Sequence, residues 1–353
     1  MESLVNSTNR TCSLVVILIL LLGLANRVEA QGGPDFKGKT IKIIIGTGAG
    51  GGVDLYTRLI AQYLGKHLPG QPSIMAQNMP GGSSVVATNY VYNMAKPDGL
   101  TLGALQAGVY FTQILGRENV KFDWSKFTWI GTPHRMEAQL YMRADTPYKT
   151  LDDIRNAAEP PRCGGAGTGA TGYYVPKILE ETLGLKFRNV TGYQSGAEID
   201  LAVERGELHC RAFDISSFLG REPTRTWYKT GKVRSLIQTG QKRDEGLPDV
   251  PTLNELMNQY KTPESARRVA TMVLSSGGFG RPMVAPPGLS PELTRVIRDA
   301  YAKTMRDPEF IAETRKRRFE LEPVSGEEMS KMAVEVINQP PDVVERVKKL
   351  LAN

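Results

Sequence analysis

The sequence predicts an α/β protein in which two lobes, each built on a mostly parallel sheet, surround a ligand cleft. Two units of strand, glycine run and helix carry this prediction. In the first, the isoleucine-rich segment 41–45 leads into glycines over 46–52 and then into apolar residues spaced as on one helix face. In the second, glycines over 164–172 precede a helix in which Pro176 is expected within the first turn. Strands that alternate with helices in this way form parallel β-α-β units.

The remaining elements of the first lobe follow in chain order. Strands are expected over 73–78 and 100–106, because both segments are short and bounded by turn residues. Between them a helix is expected over 85–95, and the Lys-Pro-Asp-Gly turn of residues 96–99 ends it.

The second lobe has the same alternation. Residues 150–153 and 195–198 are predicted capping boxes, and each opens a helix. Strands are expected near Arg162, over 209–214 and over 232–240.

The chain is expected to return to the first lobe near residue 275. There a strand and a Pro/Gly turn precede a helix with Ser290 as its N-cap. Final helices are expected over 308–318 and 326–337. The predicted lobes are therefore 38–138 plus 270–353 for the first and 139–269 for the second.

The composition fits a globular protein and favours anionic partners. The chain has 353 residues, of which 41% are hydrophobic and 23% charged, and its net charge is +7. The densest basic cluster, residues 315–318, is short and is predicted to be a solvated helix face. Because no nucleic-acid fold signature accompanies it, the sequence predicts no nucleic-acid partner.

Residues 1–30 are predicted to be a secretory signal peptide that is not part of the fold. An apolar run over 14–22 follows Arg10, and a cleavage pattern of the A-x-A type ends at Ala30. The run is shorter than the roughly 20 residues that span a bilayer. Cys12 lies before the run, which argues against a lipoprotein anchor. The sequence therefore predicts export to a bacterial periplasm.

Two cysteines, Cys163 and Cys210, remain after signal cleavage. An oxidising compartment permits a disulfide if their strands are neighbours, and two buried free thiols are the open alternative. The histidines His67, His134 and His209 are too scattered to predict a metal site. No cofactor is predicted.

The first glycine run has a nucleotide-binding alternative. Residues 46–51 match G-x-G-x-x-G after a strand, which is the pattern of a dinucleotide loop. The acid expected at the end of the second strand is missing, since Gln77 and Asn78 stand there. A Walker A loop fails because Val53 and Asp54 replace its Lys-Ser/Thr pair. An exported α/β enzyme that binds a nucleotide at Gly46 to Gly51 is the alternative function.

Three polar residues have a structural interpretation beside a functional one. Ser195 stands in Gly-Tyr-Gln-Ser-Gly and not in G-x-S-x-G, so a helix cap is favoured over a nucleophile. Asp54 is either a helix cap or a ligand contact. Asp214 follows an apolar strand, where an acid usually faces a crevice. The glycine runs are either tight turns alone or an anion site of backbone N–H groups at helix starts.

With these segments assembled, the chain resembles the substrate-binding proteins of tripartite tricarboxylate transporters, the Bug family. The resemblance covers nearly the whole mature chain and depends on the order and spacing of its pieces. They are GAGGGVD (48–54), NMPGG (78–82), KPDG (96–99), the glycine run 164–171, Phe213-Asp214, LPDVPT (247–252) and APPG (285–288).

The resemblance implies a type II periplasmic-binding-protein-like fold and a monomeric periplasmic receptor. Such a receptor captures a small carboxylate, either a di- or tricarboxylate or an aromatic acid, and delivers it to membrane permease subunits. The chain departs from the family where Gly46-Thr47-Gly48 replace a proline and an aromatic, where Met79 replaces an arginine, and where Gln194 replaces a lysine. The identity of the carboxylate therefore stays open.

The predicted site is a hinged clamp between the two lobes. Backbone amides at the first helix start bind one carboxylate end, the second glycine run and the cap region add donors from the facing lobe, and Asp214 accepts a hydrogen bond from a ligand hydroxyl or amine or orients water. The predicted ligand contacts are Thr47, Gly48, Ala49, Gly50, Gly51, Asp54, Gly81, Gln106, Gly108, Gly167, Thr168, Gly169, Thr171, Tyr193, Ser195 and Asp214.

Overall fold

The computed structural model describes residues 34–352, so the predicted signal peptide lies outside the described part of the chain. Within residues 34–352 there are fourteen α-helices and eleven strands. None of these helices has the length and apolar character that crossing a membrane requires.

The strands and helices alternate along most of the chain. The strands are β1 (Thr40–Ile45), β2 (Ser73–Asn78), β3 (Thr101–Ala104), β4 (Thr128–Thr132), β5 (Ala138–Arg143), β6 (Arg162–Gly164), β7 (Arg188–Val190), β8 (Cys210–Asp214), β9 (Val233–Gln238), β10 (Met283–Ala285) and β11 (Val324–Ser325). The helices are α1 (Gly52–Leu64), α2 (Val85–Asn93), α3 (Tyr110–Ile114), α4 (Leu151–Arg155), α5 (Thr171–Leu183), α6 (Gly196–Glu204), α7 (Ile215–Gly220), α8 (Thr224–Lys229), α9 (Leu253–Gln259), α10 (Glu264–Leu274), α11 (Pro291–Arg306), α12 (Pro308–Arg317), α13 (Gly326–Ile337) and α14 (Pro341–Ala352).

The strands form two separate sheets. The first has the order β11-β4-β10-β3-β1-β2 and the second has the order β7-β6-β8-β5-β9. This arrangement confirms the predicted α/β class. The sheets are mixed, however, with four parallel and five antiparallel strand pairs, and not mostly parallel. The reason is that the chain enters β5 and β10 from the other sheet, without the β-α-β crossover that imposes parallel pairing.

Strand β1 shows how alternation along a strand builds the core. Ile41, Ile43 and Ile45 belong to one buried cluster with Leu59 of α1, whereas Ile44 belongs to another. Successive side chains of a strand point to opposite faces of its sheet. Burial on both faces is typical of an inner strand with helices on either side.

Most predicted elements are confirmed within a few residues. Strand β2 and helix α13 have the predicted bounds, and the hydroxyl of Ser290 accepts a hydrogen bond from the Leu293 N–H at 3.2 Å, as expected of an N-cap. The predicted position of Pro176 in the first turn of its helix was wrong. Helix α5 already begins at Thr171, within the glycine run, so Pro176 is its sixth residue and lies in the second turn.

Helix α14 was not predicted. It begins at Pro341, a favourable first helical residue, and buries Val347 and Leu351 four residues apart. These two signals were present in the sequence. The helix lies against α5, where an Arg346 side-chain nitrogen is 3.6 Å from the Glu181 carboxylate.

The two cysteines form a disulfide, which resolves the alternative left open by the sequence. Cys163 and Cys210 are paired in register on the parallel strands β6 and β8. Their Cα atoms lie 4.5 Å apart, within the range that a disulfide bridges. Both residues are fully buried.

The first sheet takes its strands from 40–132 and 283–325, and the second takes its strands from 138–238. This order agrees with the predicted lobes, whose boundaries stay a prediction. Helix α14 belongs to the first predicted lobe but packs on α5, which follows a strand of the second sheet.

Candidate functional site

Backbone loops that follow strands of the two sheets meet face to face. The loop after β1 touches the loop after β7, where the Gly48 N–H donates to the Gln194 carbonyl at 2.7 Å. A Cβ on Gly51 would lie 3.2 Å from the backbone nitrogen of Gly196. Neither Gly48 nor Gly51 has a positive φ. These glycines are therefore needed for the close approach of two backbones, and not for a turn conformation.

A second pair of loops meets in the same way. A Cβ on Gly108, after β3, would lie 2.7 Å from the carbonyl oxygen of Gly169, after β6. The loops that follow strands of the two sheets are thus in direct contact, and a side chain at either glycine would hold them apart.

Replacing Gly108 with alanine is expected to weaken ligand binding about 5- to 150-fold. The added methyl group meets a backbone oxygen that has little room to move, and overpacking of this kind costs about 1–3 kcal/mol in the closed form. Calorimetry with any small molecule found to bind the wild type measures the change. In the control Gly278→Ala, the new Cβ meets the flexible end of Met332 and makes an ordinary contact with Arg135, so wild-type affinity is expected. Wild-type affinity of Gly108→Ala would show that binding does not require these loops to touch.

Three helix N-termini line the same cavity between the loops. They are the starts of α1 at Gly52, α5 at Thr171 and α6 at Gly196. Several N–H groups at these starts have no hydrogen-bond acceptor within residues 34–352, as expected for the first turn of a helix. They belong to Gly52, Val53, Thr171, Gly172, Gly196 and Ala197. Three helix dipoles and free donors directed at one volume favour an anion there.

Two adjoining cavities occupy the cleft. The helix-start cavity has about 110 Å³ and is lined by Thr47, Gly51 and Ser195 together with the three helix starts. The ion-pair cavity has about 100 Å³ and is lined by Met136, Asp214, Ser217 and Arg281, among others. Both cavities share Gly52, Val53, Gln106, Thr171, Arg211 and Phe213. The shared residues show that the two cavities lie side by side, and each has room for a few atoms of ligand.

Half of the sixteen predicted ligand contacts line these cavities. They are Thr47, Gly51, Gln106, Gly108, Gly169, Thr171, Ser195 and Asp214. Three further predicted contacts, Gly48, Gly50 and Gly167, do not line either cavity and instead lie against Gln194, Ala197 and Ser83, respectively. The structure places Ala49, Asp54, Gly81, Thr168 and Tyr193 outside the lining of both cavities.

Asp54 supports the first glycine loop from behind. Its Oδ2 accepts a hydrogen bond from the Gly50 N–H at 3.0 Å. Its Oδ1 accepts from Arg58 at 2.9 Å and from Asn78 at 2.8 Å. The carboxylate is buried and both of its oxygens have partners within the protein. A role in supporting the loop therefore explains Asp54 without a ligand contact.

Ser195 caps helix α6. Its Oγ accepts a hydrogen bond from the Glu198 N–H at 3.2 Å. The Glu198 carboxylate accepts from the Gln194 N–H at 2.8 Å and not from the N–H of Ser195, so the predicted capping box is only half formed. This role accounts for the hydroxyl without any nucleophilic function.

Asp214 forms a buried ion pair across the cleft. It ends β8, and its Oδ1 accepts hydrogen bonds from Arg281 at 2.7 Å and from the Ser217 N–H at 2.7 Å. Arg281 precedes β10 and also bonds to the ring of His134, in the segment between β4 and β5. Only Oδ2 of Asp214 lacks a partner within residues 34–352. A ligand contact by Asp214 is therefore restricted to that oxygen.

Asp214 is ionised despite its burial. Burial by itself raises the pKa of this carboxyl, but the charge of Arg281 and the hydrogen bonds from Arg281 and Ser217 outweigh it and hold the pKa well below the ordinary value. Burial likewise lowers the pKa of Arg281, and the charge of Asp214 reverses the effect. The two charges stabilise each other.

His134, Asp214 and Glu320 bring side chains of metal-ligating type within 4.8 Å of one another. The guanidinium of Arg281 bonds to two of the three. A positive charge from the protein thus already partners two of these three side chains.

Sequence reasoning did not single out Arg211 or Arg281. A signal existed for Arg211, since arginine is rarely buried unless paired and this one stands inside the apolar strand before Asp214. For Arg281, between Gly280 and Pro282, no local pattern indicated its partner.

A family model described as the tripartite tricarboxylate transporter family receptor matches residues 56–348. The chain belongs to this family. The proteins of the tripartite tricarboxylate receptor family are solute-binding receptors and not enzymes.

Two relatives of this receptor cover much of its length. The UPF0065 protein of the gbd 5′ region of Cupriavidus necator is 26% identical over 92% of this chain and 93% of its own length. The UPF0065 protein of the TAR-I ttuE-ttuC′ intergenic region of Agrobacterium vitis is 29% identical over 68% of this chain and 67% of its own.

Solved structures of similar fold include the periplasmic binding protein BugD, with a TM-score of 0.70 and 20% identity over 88% of this receptor and 97% of that chain. Malate-bound MatC of Rhodopseudomonas palustris has a TM-score of 0.68 and 18% identity, and the match covers 88% of this receptor and 98% of MatC. An adipate-bound R. palustris protein has a TM-score of 0.70 and 20% identity, and the match covers 90% of this receptor and 99% of that protein. These similarities confirm the periplasmic-binding-protein fold and the Bug-family resemblance.

Proposed function

We propose that this chain is an exported receptor that captures a small carboxylate between its lobes and delivers it to the membrane permease subunits of a tripartite tricarboxylate transporter. One observation carries the proposal: three helix N-termini with free N–H groups line a single small cavity where the lobes meet. The ligands of the two R. palustris neighbours, malate and adipate, are both small carboxylates.

The binding step follows from the geometry of the loops. The N–H groups of Gly52 and Val53 hold one carboxylate end, and donors at Thr171 and Gly196 approach it from the facing lobe. A micromolar complex needs about 8 kcal/mol. Hydrogen bonds to a charged group contribute about 1.5–3 kcal/mol each, so three to five donors supply this amount before the cost of ordering the ligand.

Capture is coupled to closure because the donors come from both lobes. A ligand that touches both lobes binds the closed form more tightly than the open form, so its presence shifts the population toward closure. A membrane partner that recognises only the closed form then receives the loaded receptor. No bond is made or broken in this sequence of steps.

The alternative of an enzyme that binds a nucleotide at Gly46 to Gly51 has less support. The helix-start cavity has about 110 Å³, whereas sites for drug-sized ligands have about 300–1,000 Å³. Ser195, the candidate nucleophile in the cleft, is occupied as a helix cap.

A thermal-shift screen of the mature protein tests the proposal. The panel contains mono-, di- and tricarboxylates of two to eight carbons and aromatic acids, each with its uncharged amide as the matched control, together with NAD and ATP. Stabilisation by carboxylates and not by their amides is expected. Stabilisation by a nucleotide alone would favour the enzyme alternative. Loss of uptake of the bound carboxylate in a deletion strain then tests the delivery step.

Replacing Gly51 with valine tests the role of the backbone amides. The branched side chain would extend toward the start of α6, since even its Cβ lies 3.2 Å from the Gly196 nitrogen. Losing two charged hydrogen bonds costs about 3 kcal/mol or more, so affinity is expected to fall more than a hundredfold. Calorimetry with the best carboxylate of the panel measures this. Unchanged affinity would remove the loop from the site.

A further inference from the structure

Arg211 is a buried arginine in the wall between the two cavities. It lies in β8, is 7% exposed and lines both the helix-start cavity and the ion-pair cavity. Its Nη1 donates to the Gly196 carbonyl at 2.9 Å and to the Asp200 carboxylate. Its Nε and Nη2 have no acceptor within residues 34–352, yet neither is sealed from solvent.

The free edge of this guanidinium is held in a fixed orientation. The Arg211 guanidinium lies 4.1 Å from the centre of the Phe213 ring, and its Nη1 is bonded as described. Nη2 lies so close to Gly196 that a Cβ there would approach it to 2.5 Å. The open edge thus lies at the start of α6. The Nε and Nη2 donors of an arginine are parallel and match the two oxygens of a carboxylate.

The cluster behind this edge carries an excess positive charge. The Asp200 carboxylate is shared between Arg211 and Arg221, whose nitrogen lies 2.6 Å from it. The side chains of all three are less than a tenth exposed. Burial lowers the pKa of Arg221, Asp200 raises it and the charge of Arg211 lowers it again. Two guanidinium groups and one carboxylate leave one positive charge without a partner, which is unfavourable in a buried site.

Arg281, the other arginine of the cleft, differs in this respect. Its charge is matched one to one by Asp214, at 2.7 Å. Arg211 is therefore the side chain of the cleft that has both an unmatched charge and open donors.

We propose that Arg211 is the side-chain anchor of the ligand, whose carboxylate binds bidentately to Nε and Nη2 at the start of α6. This inference rests on the proposed carboxylate-binding function and deepens it. The clamp predicted from the sequence holds the carboxylate with backbone amides, whereas here a guanidinium adds a full charge and a planar fork. The site then requires an ionised, planar carboxylate and rejects the isosteric amide, which places an N–H donor against the guanidinium.

The matched pair Arg211→Met and Arg221→Met tests the anchor. Each variant removes one positive charge from the same cluster and leaves Asp200 with one arginine partner, but only Arg211 lines the cavities. Calorimetry with the best carboxylate of the panel is expected to show at least about a hundredfold weaker binding for Arg211→Met and less than about threefold for Arg221→Met. Arg211→Lys keeps the charge without the fork, and an intermediate loss of about tenfold is expected.

The outcomes separate the anchor from the wider function. Wild-type affinity of Arg211→Met, or equal losses in both methionine variants, would overturn the anchor and leave carboxylate binding intact. If no carboxylate of the panel stabilises the wild type, both proposals fail. If Arg211→Met does not fold, a crystal structure of the wild-type protein with the best carboxylate of the panel tests the anchor instead. The anchor requires both carboxylate oxygens within hydrogen-bond distance of Nε and Nη2, and a carboxylate bound only to backbone amides would overturn it.

Discussion

Replacing both Cys163 and Cys210 with alanine is expected to lower the free energy of unfolding by about 4 kcal/mol. The disulfide joins residues 47 positions apart. In the chain-entropy description, closing a loop of this length reduces the conformational entropy of the unfolded chain by an amount worth about 4 kcal/mol at 25 °C. Alanine leaves no buried polar group in place of the sulfur, so the change reports mainly the loss of the cross-link.

Urea denaturation of the oxidised wild type, the reduced wild type and the double alanine variant measures this effect. The reduced wild type and the variant are expected to unfold at similar, lower urea concentrations. Reductant added to the variant is the control and should change nothing. A difference below about 1 kcal/mol between the oxidised and reduced wild type would contradict the expectation.

Replacing Asp214 with alanine is expected to cost about 3–5 kcal/mol of stability. The change leaves the buried charge of Arg281 without its carboxylate, and removing one partner of a buried pair has an effect of this size. It also removes the acceptor of the Ser217 N–H at the start of α7. Chemical denaturation measures the loss. Glu328→Gln, which breaks the half-exposed pair with Arg135, is the control and is expected to cost about 1 kcal/mol or less.

Partial recovery of stability when Arg281→Met is added to Asp214→Ala would identify the unpaired charge as the cause. If Asp214→Ala costs no more than Glu328→Gln, the ion pair does not stabilise the folded protein.

The low pKa of Asp214 predicts that the stability of the protein depends on pH. Its pKa is lower in the folded state than the unfolded value of about 3.9. Its contribution is therefore fully present above about pH 4 and is lost as the pH falls toward the folded pKa, because the unfolded chain binds the proton first. Between these two values, Asp214→Asn should reduce the slope of stability against pH by up to about 1.4 kcal/mol per pH unit. An unchanged slope would contradict this.

Much of the candidate site was accessible from local patterns. The glycine run before α1 and the glycine run at the start of α5 were predicted as facing loops, and both line the cleft. Asp214 was predicted at the end of its strand, facing a crevice, and it lines the ion-pair cavity. The role of Asp54 was left between a cap and a ligand contact, because the sequence does not show that Asn78 and Arg58 occupy its oxygens.

The sequence by itself determined the elements whose signals lie within a few residues. The β-branched run of Ile41 to Ile45, the spacing of apolar residues in α1 and the Ser290 cap are properties of neighbouring positions. They specify a strand, a helix and a helix start. Only the tertiary structure decided which distant groups meet. Arg281 pairs with Asp214 across 67 positions, and Cys163 meets Cys210 because β6 and β8 are neighbours. Sheet order depends on the packing of all the elements together, and no periodicity within a single element encodes it.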